Sequence, residues 1–301
     1  MTAQDSATRP AAIAAAPVRT GTALAALAVV SFSFSFPATV WTLEGLGPWT
    51  ATGVRGLLAG LLAAGCLLAA RAPVPARSDR AALLTVAGGC VLGFPLLTTL
   101  ALQTSTTAHS AVVIGVLPLA TAACSALLTG RRPSRTFWTA AGTGALAVLV
   151  FTLSRSRGLP GAGDLYLFGA LLLCAAGYAQ GGRLAGHLPG WQVIAWACVA
   201  ALPATALVAA LALPREPVHM TGQSVAGLAY IAAVAQFGGF VLWYRGMGVI
   251  GVPRASQIQL AQPLLTLVWS VLLMGEHLAP LAPVTAVVVL ACIAVTQRAR
   301  T

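Results

Sequence analysis

The sequence predicts an all-α integral membrane protein with ten transmembrane helices, arranged as two inverted five-helix repeats. Three observations support this prediction: an apolar composition, ten apolar runs and an internal repeat. Of the 301 residues, 58% are hydrophobic and 8% are charged, and the mean hydropathy is +0.88. In a typical soluble domain about a quarter of the residues are charged. The chain therefore needs lipid as its solvent, and no soluble domain has room to fold separately.

Ten apolar runs follow one another along the chain, each close to the length of about 20 residues that a helix needs to cross a bilayer. The first is too long for the core of a cleavable signal peptide, so we expect an uncleaved anchor after a polar tail, residues 1–19. The predicted spans are Thr20–Trp41, Pro48–Ala70, Ala81–Gln103, Thr107–Thr129, Thr136–Leu153, Leu165–Gly182, Trp191–Leu213, Val225–Tyr244, Ala255–Met274 and Leu278–Val295.

The arginines between the runs predict the orientation of the chain. With ten spans and an internal N-terminus, thirteen of the 17 basic residues fall inside and three fall outside, and Arg55 lies within the second span. Positive residues concentrate on the cytoplasmic side of membrane proteins, so both termini are expected there. The lysine-free, Ala- and Arg-rich composition is typical of a GC-rich bacterial genome, which predicts the bacterial plasma (inner) membrane.

The same composition excludes several classes of function. The net charge of +11 comes from arginines in loops, which indicates topology and not binding to nucleic acid. Without lysine, the chain cannot form a Walker A loop or a pyridoxal Schiff base. All six cysteines fall inside apolar runs with no CxxC pair, so we interpret them as packing residues and expect no metal and no cofactor. There is also no HExxH or GxSxG motif, which argues against an intramembrane enzyme.

An internal repeat organises the chain. A shift of 145 residues aligns Pro118–Gly130 with Pro263–Gly275, and seven of the thirteen positions are identical. An odd number of spans per half places the two copies in opposite orientations, as in many secondary transporters. The expected division is a first repeat over residues 20–153, a connecting loop over 154–164, a second repeat over 165–295 and a cytoplasmic tail over 296–301.

The segment Gln262–Gln297 resembles the closing motif of an EamA domain, from the drug/metabolite transporter superfamily. This motif has a proline that opens a helix, a Gly-Glu turn and a final apolar helix; residues 118–151 repeat it. Pro48 followed by Arg55 resembles the family's second span. The resemblance implies a ten-span bundle around a central cavity, and a solute among metabolites, amino acids and drug-like compounds. One departure is that Arg131 takes the place of the first-repeat glutamate, whereas Glu276 is present in the second.

The ninth span carries the most polar helical face and is the first candidate for a solute pathway. In lipid, such a face must contact protein or water. The positions equivalent to it in the first repeat are mostly apolar, so a cavity between the two would have one polar and one apolar wall. Hydrogen bonding between helices is the alternative interpretation of this face. The residues of this face recur every three or four positions and are Ser256, Gln259, Gln262, Thr266 and Trp269.

Aromatic and amide residues elsewhere extend the predicted pathway. Gln236 and Phe240 in the eighth span and Tyr178 in the sixth are suited to holding a flat or amphipathic solute. Trp243 shares the helical face of Gln236 and Phe240. Because Trp243 and Tyr244 lie near the predicted cytoplasmic end of the span, we favour interfacial anchors over a place in the pathway for these two.

Three ionisable residues complete the candidates. Arg55 is expected either to contact an anionic solute or to snorkel to the outer headgroups. His109, near the outer end of the fourth span, is a candidate for proton coupling, although a lone histidine at a helix end is more often structural. For Glu276, in an outer turn, we favour a capping role over proton transfer.

We therefore expect a secondary transporter, an exporter of a small metabolite, amino acid or drug-like solute that works by alternating access. Its partners are the solute and the lipid bilayer, with no nucleic acid. Gly56-xxx-Gly60 and Gly89-xxx-Gly93 permit close helix packing within one chain or in a homodimer. A non-transporting receptor or partner protein is the alternative, and an intramembrane enzyme is less favoured.

Overall fold

The computed structural model describes residues 18–130, 134–155, 160–259 and 261–298, and within them the chain folds into ten helical segments joined by short loops. The polar N-terminal tail therefore lies almost wholly outside the described residues. The segments are α1 (Val18–Leu43), α2 (Pro48–Ala69), α3 (Arg77–Ala101), α4 (Thr107–Leu128), α5 (Arg135–Arg155), α6 (Ala162–Leu184), α7 (Gly190–Ala212), α8 (Gly222–Gly251), α9 (Ala261–Met274) and α10 (Leu281–Arg298).

The helices are apolar enough for a bilayer. In the described residues, seven of them are both long and apolar enough to cross a membrane: α1 to α4 and α6 to α8. The apolar parts of α5, α9 and α10 are shorter, so the count of ten spans stays a prediction. Many leucines and valines, such as Leu68 and Leu272, point away from the bundle. This pattern is typical of a surface that faces lipid and not water.

The internal repeat is visible in the backbone. In α4 the helix breaks after Ile114. At the equivalent place, the helical residues that follow the kink at Gly251 end at Ile258, before α9 begins. Pro118 and Pro263 follow these breaks, because proline lacks the N–H for the bond to the carbonyl four residues earlier and clashes with it. Both copies then end at a left-handed glycine, Gly130 with φ 65° and Gly275 with φ 63°.

Helix packing follows an approximate two-fold pattern. Helix α1 packs against α8 and α9, and its counterpart α6 packs against α3 and α4. Counterparts also pack on each other directly: α2 on α7, α5 on α10 and α4 on α9. We call the end of the bundle where α1 begins the near end, and the end where α1 finishes the far end.

Both predicted glycine motifs contribute to helix packing within one chain. A Cβ atom on Gly53 would lie 2.5 Å from the backbone nitrogen of Ala209 in α7, and Gly56 faces Thr205 of the same helix. In α3, Gly89 lies against the backbone of α6. These contacts account for the glycine spacing within one chain, and a homodimer stays a prediction.

Two helices contain π-helical segments, in which each turn holds an extra residue. They cover Ala87–Gly93 in α3 and Tyr230–Gly238 in α8, which are nearly equivalent positions of the two repeats. The Gln236 side-chain Nε2 donates a hydrogen bond of 3.1 Å to the Cys90 carbonyl and so joins the two segments. Such segments are frequent at functional sites because they re-aim the side chains around them.

The α2–α7 contact predicts opposite effects for two glycine substitutions on one helix. Gly53→Ala should destabilise the protein by about 1–3 kcal/mol, because the new methyl group meets backbone atoms that cannot move aside. Gly65→Ala, with nothing within 4 Å, should leave stability unchanged or raise it slightly. Thermal unfolding of both purified variants in the same detergent tests this. Equal melting temperatures would contradict the packing described.

Candidate functional site

A buried ion-pair geometry links the two repeats at the far end. His109 Nε2 lies 2.7 Å from Asp164 Oδ1, and the imidazole stacks on Phe151 with 5.1 Å between ring centroids. The second oxygen of Asp164 accepts a hydrogen bond from Gly161 N at the start of α6. The interpretation of His109 as a lone histidine was therefore wrong, because its partner is 55 residues away in sequence.

Glu276 caps helix α4. Its two carboxylate oxygens accept hydrogen bonds of 2.8 Å from Thr107 N and Ala108 N. Both are amides of the first helical turn, which have no partner within the helix. The predicted capping role of Glu276 is confirmed by this geometry. Glu216 does the same for α2, because it accepts hydrogen bonds from Trp49 N and Thr50 N.

A narrow cleft lies between α4 and α9, with α1 at its side. Its volume is about 10 Å³, close to the space that one water molecule requires. Equivalent positions of the two repeats line it: Ile114 and Gln259, Leu117 and Gln262, and the two prolines. The lining residues are Phe36, Ala111, Ile114, Gly115, Leu117, Pro118, Gln259, Gln262, Pro263 and Thr266.

The polar face predicted for the ninth span divides into two parts. The Thr266 hydroxyl donates to the Ser33 carbonyl at 2.9 Å, and Trp269 Nε1 donates to the Ser33 hydroxyl oxygen at 3.0 Å. These two residues fasten α9 to the break in α1. In contrast, Gln259 Nε2 and Gln262 Oε1 have no hydrogen-bond partner among the described residues. The side chain of Ser256 lies outside the described part of the chain.

An aromatic cluster occupies the centre of the bundle between α1, α6 and α8. Tyr178 lies 5.8 Å from both Phe240 and Trp243, measured between ring centroids, and Phe240 also packs on Phe32. Trp243 and Tyr244 are 1% and 0% exposed. Their predicted role as interfacial anchors was therefore wrong. Helix α8 continues beyond Tyr244 to Gly251, which places both rings inside the bundle.

Several polar atoms in this centre are buried without a partner in the described residues. Buried polar groups are normally hydrogen-bonded, and an unpartnered one costs about 1–3 kcal/mol. Gln236, for example, bonds through Nε2 but leaves its carbonyl oxygen unpaired. The unpartnered atoms of aromatic, amide and guanidinium side chains are Arg55 Nε, Trp196 Nε1, Gln236 Oε1, Trp243 Nε1, Tyr244 OH, Gln259 Nε2 and Gln262 Oε1. Five hydroxyl oxygens of the described residues, some of them toward the far end, are also unpartnered: those of Thr50, Thr107, Ser110, Thr121 and Thr152.

A wide vestibule opens at the near end. It has a volume of about 770 Å³, and α1, α8 and the loop between α6 and α7 form its walls. Small-molecule sites commonly enclose about 300–1,000 Å³. Tyr244 and Arg245 line this vestibule, so it reaches the edge of the aromatic cluster. No sequence pattern indicated it, because its walls come from three distant parts of the chain.

Arg55 is 6% exposed, so its side chain faces the interior of the bundle. The side chain therefore does not lie along the lipid-facing surface. Contact with an anionic solute and snorkelling through neighbouring water to the outer headgroups both stay predictions. Within the described residues, Arg55 makes no hydrogen bond and no ion pair.

Comparisons with known proteins agree with this architecture. The family model of the EamA-like transporter family matches the chain twice, over residues 19–153 and 161–297. The "Uncharacterized transporter YdeK" of Bacillus subtilis (strain 168) is 38% identical over 272 residues, which cover 90% of this chain and 95% of that protein. The "Uncharacterized protein PA1977" of Pseudomonas aeruginosa is 34% identical over half of each chain.

A solved protein crystal structure has the same fold. It superposes with a TM-score of 0.62 over 92% of this chain and 96% of that chain. The sequence identity is 20%, so this likeness concerns the fold alone.

The cap on α4 predicts different effects for two neighbouring side chains. Glu276→Ala should lower stability by about 1–2 kcal/mol, because two buried amides of α4 lose a charged acceptor. His277→Ala, at an exposed neighbour, should change stability little. Thermal unfolding in detergent compares the two. A larger loss for His277→Ala would contradict the capping geometry.

Proposed function

Since the chain belongs to the EamA-like transporter family, and so is a multi-pass membrane transporter and not an enzyme, we propose that it exports a small organic solute as a secondary transporter. Its two repeats, over residues 20–153 and 165–295, move relative to each other and expose a shared site to one side of the membrane at a time. The ten helical segments each cross the bilayer, and the arginine bias places the near end in the bacterial cytoplasm.

The observation that carries this proposal is a group of unpartnered amide atoms and aromatic donor groups in the interior of the bundle. Gln236, Gln259 and Gln262 each have an unpaired amide atom, and Trp243 and Tyr244 each have an unpaired donor group. In lipid surroundings these atoms are expensive unless a solute or water binds them. The aromatic rings of Tyr178 and Phe240 supply apolar contact area beside them, which suits a flat or amphipathic solute.

The distribution of contacts between the repeats supports an assignment of the conformation. At the far end, Glu276 binds α4 and Glu216 binds α2, in both cases between the two repeats. His109 of the first repeat approaches Asp164, the last residue of the predicted connecting loop. Thr266 and Trp269 add bonds to Ser33. At the near end, the described polar side-chain contact between the two repeats joins His187 and Asp79, at 3.1 Å. It lies beside the open vestibule. The conformation is open to the cytoplasm and closed outside.

His109 and Asp164 are the candidate site for proton coupling. The pair is buried in this conformation, and the far end has to separate before solute can leave. Separation would expose both groups to water, where each can exchange a proton, and closure would return them to the interior. Such a cycle ties proton movement to the opening of the far end.

This coupling role predicts a selective defect. His109→Gln should abolish solute movement driven by an imposed pH gradient in proteoliposomes, and should spare solute exchange without a gradient. His277→Gln, at an exposed histidine of the same end, is the matched control and should retain both activities. Gradient-driven transport that survives His109→Gln would exclude this residue as the coupling group.

The pathway role of the amides predicts lost transport with retained folding. Gln259→Leu and Gln262→Leu should weaken solute exchange about tenfold or more, because a solute loses a buried hydrogen-bond partner worth about 1–3 kcal/mol. Melting temperature should stay equal or rise, since leucine is well tolerated in a lipid-embedded helix. Gln103→Leu removes an exposed amide at the end of α3 and serves as the control.

Exchange of a solute panel into proteoliposomes and thermal unfolding of the same preparations measure both quantities. Unchanged exchange with lower stability would favour helix packing as the role of the amides. Solute binding without any flux would favour a receptor over a transporter.

A further inference from the structure

Arg55 is a buried cation whose charge no described group of the protein compensates. The residue lies about 10 Å along α2 from Pro48, at a rise of 1.5 Å per residue. Its neighbours Gly53 and Gly56 face α7, and α2 also packs on the π-helical part of α8. An isolated charge inside a bilayer is costly and is normally paired or solvated. The position therefore calls for an anion that is not part of the bundle.

The carboxylates of the described chain are all bound elsewhere. Glu216 and Glu276 cap helices α2 and α4, and Asp79 and Asp164 approach His187 and His109. Glu44 accepts a bond of 3.2 Å from the Gln223 side chain at the surface. Each of these groups lies in a loop or at a helix end. None of them is available to balance Arg55 or to bind a cationic group at the centre of the bundle.

The vestibule has the same sign of charge. Of the residues that line it, Arg245 is the one that is always charged, and none is acidic. A positively charged mouth concentrates anions and repels cations. This observation is independent of Arg55 and concerns the other end of the expected route.

From these features we infer that the transported solute is a monoanion, with one carboxylate that binds the Arg55 guanidinium and an apolar or aromatic body. The inference rests on the proposed transport function and narrows its substrate class. One guanidinium balances one negative charge, and its planar donors match the two oxygens of a carboxylate. A zwitterionic amino acid does not fit, because its ammonium group would have no carboxylate to bind among the described residues at the centre.

Three probes with one carbon skeleton test the inference: 3-phenylpropionate, 3-phenylpropanamide and phenylalanine. Chloride at equal concentration tests for binding of any small anion. Thermal unfolding of the purified full-length protein in a neutral detergent measures binding, since a ligand of the folded state raises its melting temperature. The variants are Arg55→Gln, which removes the charge, Arg55→Lys, which keeps it, and Arg80→Gln, which removes an exposed arginine as the control.

We expect 3-phenylpropionate to stabilise the wild-type protein, and the amide, phenylalanine and chloride to have smaller effects. Arg55→Gln should raise the melting temperature of the ligand-free protein, because it removes an unpaired buried charge, and should weaken 3-phenylpropionate binding about tenfold or more. Arg55→Lys should retain part of the binding, and Arg80→Gln should behave as wild type. A merely structural arginine would give the opposite change in ligand-free stability.

Equal effects of acid, amide and chloride would overturn the inference, as would unchanged binding by Arg55→Gln or a lack of any response to 3-phenylpropionate. The proposed transport function is tested separately by the Gln259→Leu exchange assay with uncharged and zwitterionic solutes. If uncharged or zwitterionic solutes are transported and this transport depends on Gln259, the protein is a transporter but its substrate is not restricted to monoanions. Absence of Gln259-dependent flux for every solute would instead remove the proposed function.

Discussion

In a bilayer, every buried polar group has to find its partner inside the protein, because the surrounding lipid offers none. This constraint separates two regions of the molecule. At the far end, carboxylates meet free helix amides or a histidine, as Glu276 does at the first turn of α4. At the centre, the amides of Gln259 and Gln262 and the guanidinium of Arg55 keep unpaired atoms. At the far end the described carboxylates are paired, although the hydroxyls of Thr50 and Thr107 are not. The unpaired amide and guanidinium atoms in the middle leave a place for a polar solute.

The repeat gives these two regions their geometry. Pro118 and Pro263 break equivalent helices at equivalent places, and the broken helices meet at the cleft between α4 and α9. The two walls have nevertheless diverged, because Gln259 and Gln262 line the cleft at the positions equivalent to Ile114 and Leu117. One wall can bind a solute through hydrogen bonds, and the other offers it an apolar surface. The first-repeat counterpart of Glu276 is Arg131, which lies outside the described residues.

The architecture was predictable from sequence to the extent that a single helix carries its own signal. Apolar runs located the helices, and the repeated proline and glycine marked breaks and turns that depend only on local backbone chemistry. Pairings across the bundle could not be predicted in this way. Nothing near His109 in the sequence pointed to Asp164, and nothing in α9 indicated that Thr266 and Trp269 bind Ser33.

The errors have physical reasons of the same kind. Tyr244 was expected at the membrane interface because its apolar run ends there, yet the helix continues to Gly251 and buries the ring. An apolar run in the sequence ends where Gly and Arg residues begin. The helix itself can continue through such residues, because neighbouring helices shield them. Burial likewise shows that Arg55 faces the interior of the bundle. Hydropathy shows that a charge lies in a span but not which way it faces.

The central claim is that the cleft at Gln259 opens to each side of the membrane in turn. Cysteine accessibility tests it directly, with Gln259→Cys in a chain whose six native cysteines are replaced. A membrane-impermeant thiol reagent is applied to right-side-out and to inside-out vesicles. Alternating access predicts labelling from both sides, faster from the cytoplasmic side. Labelling from one side alone, or from neither, would contradict it.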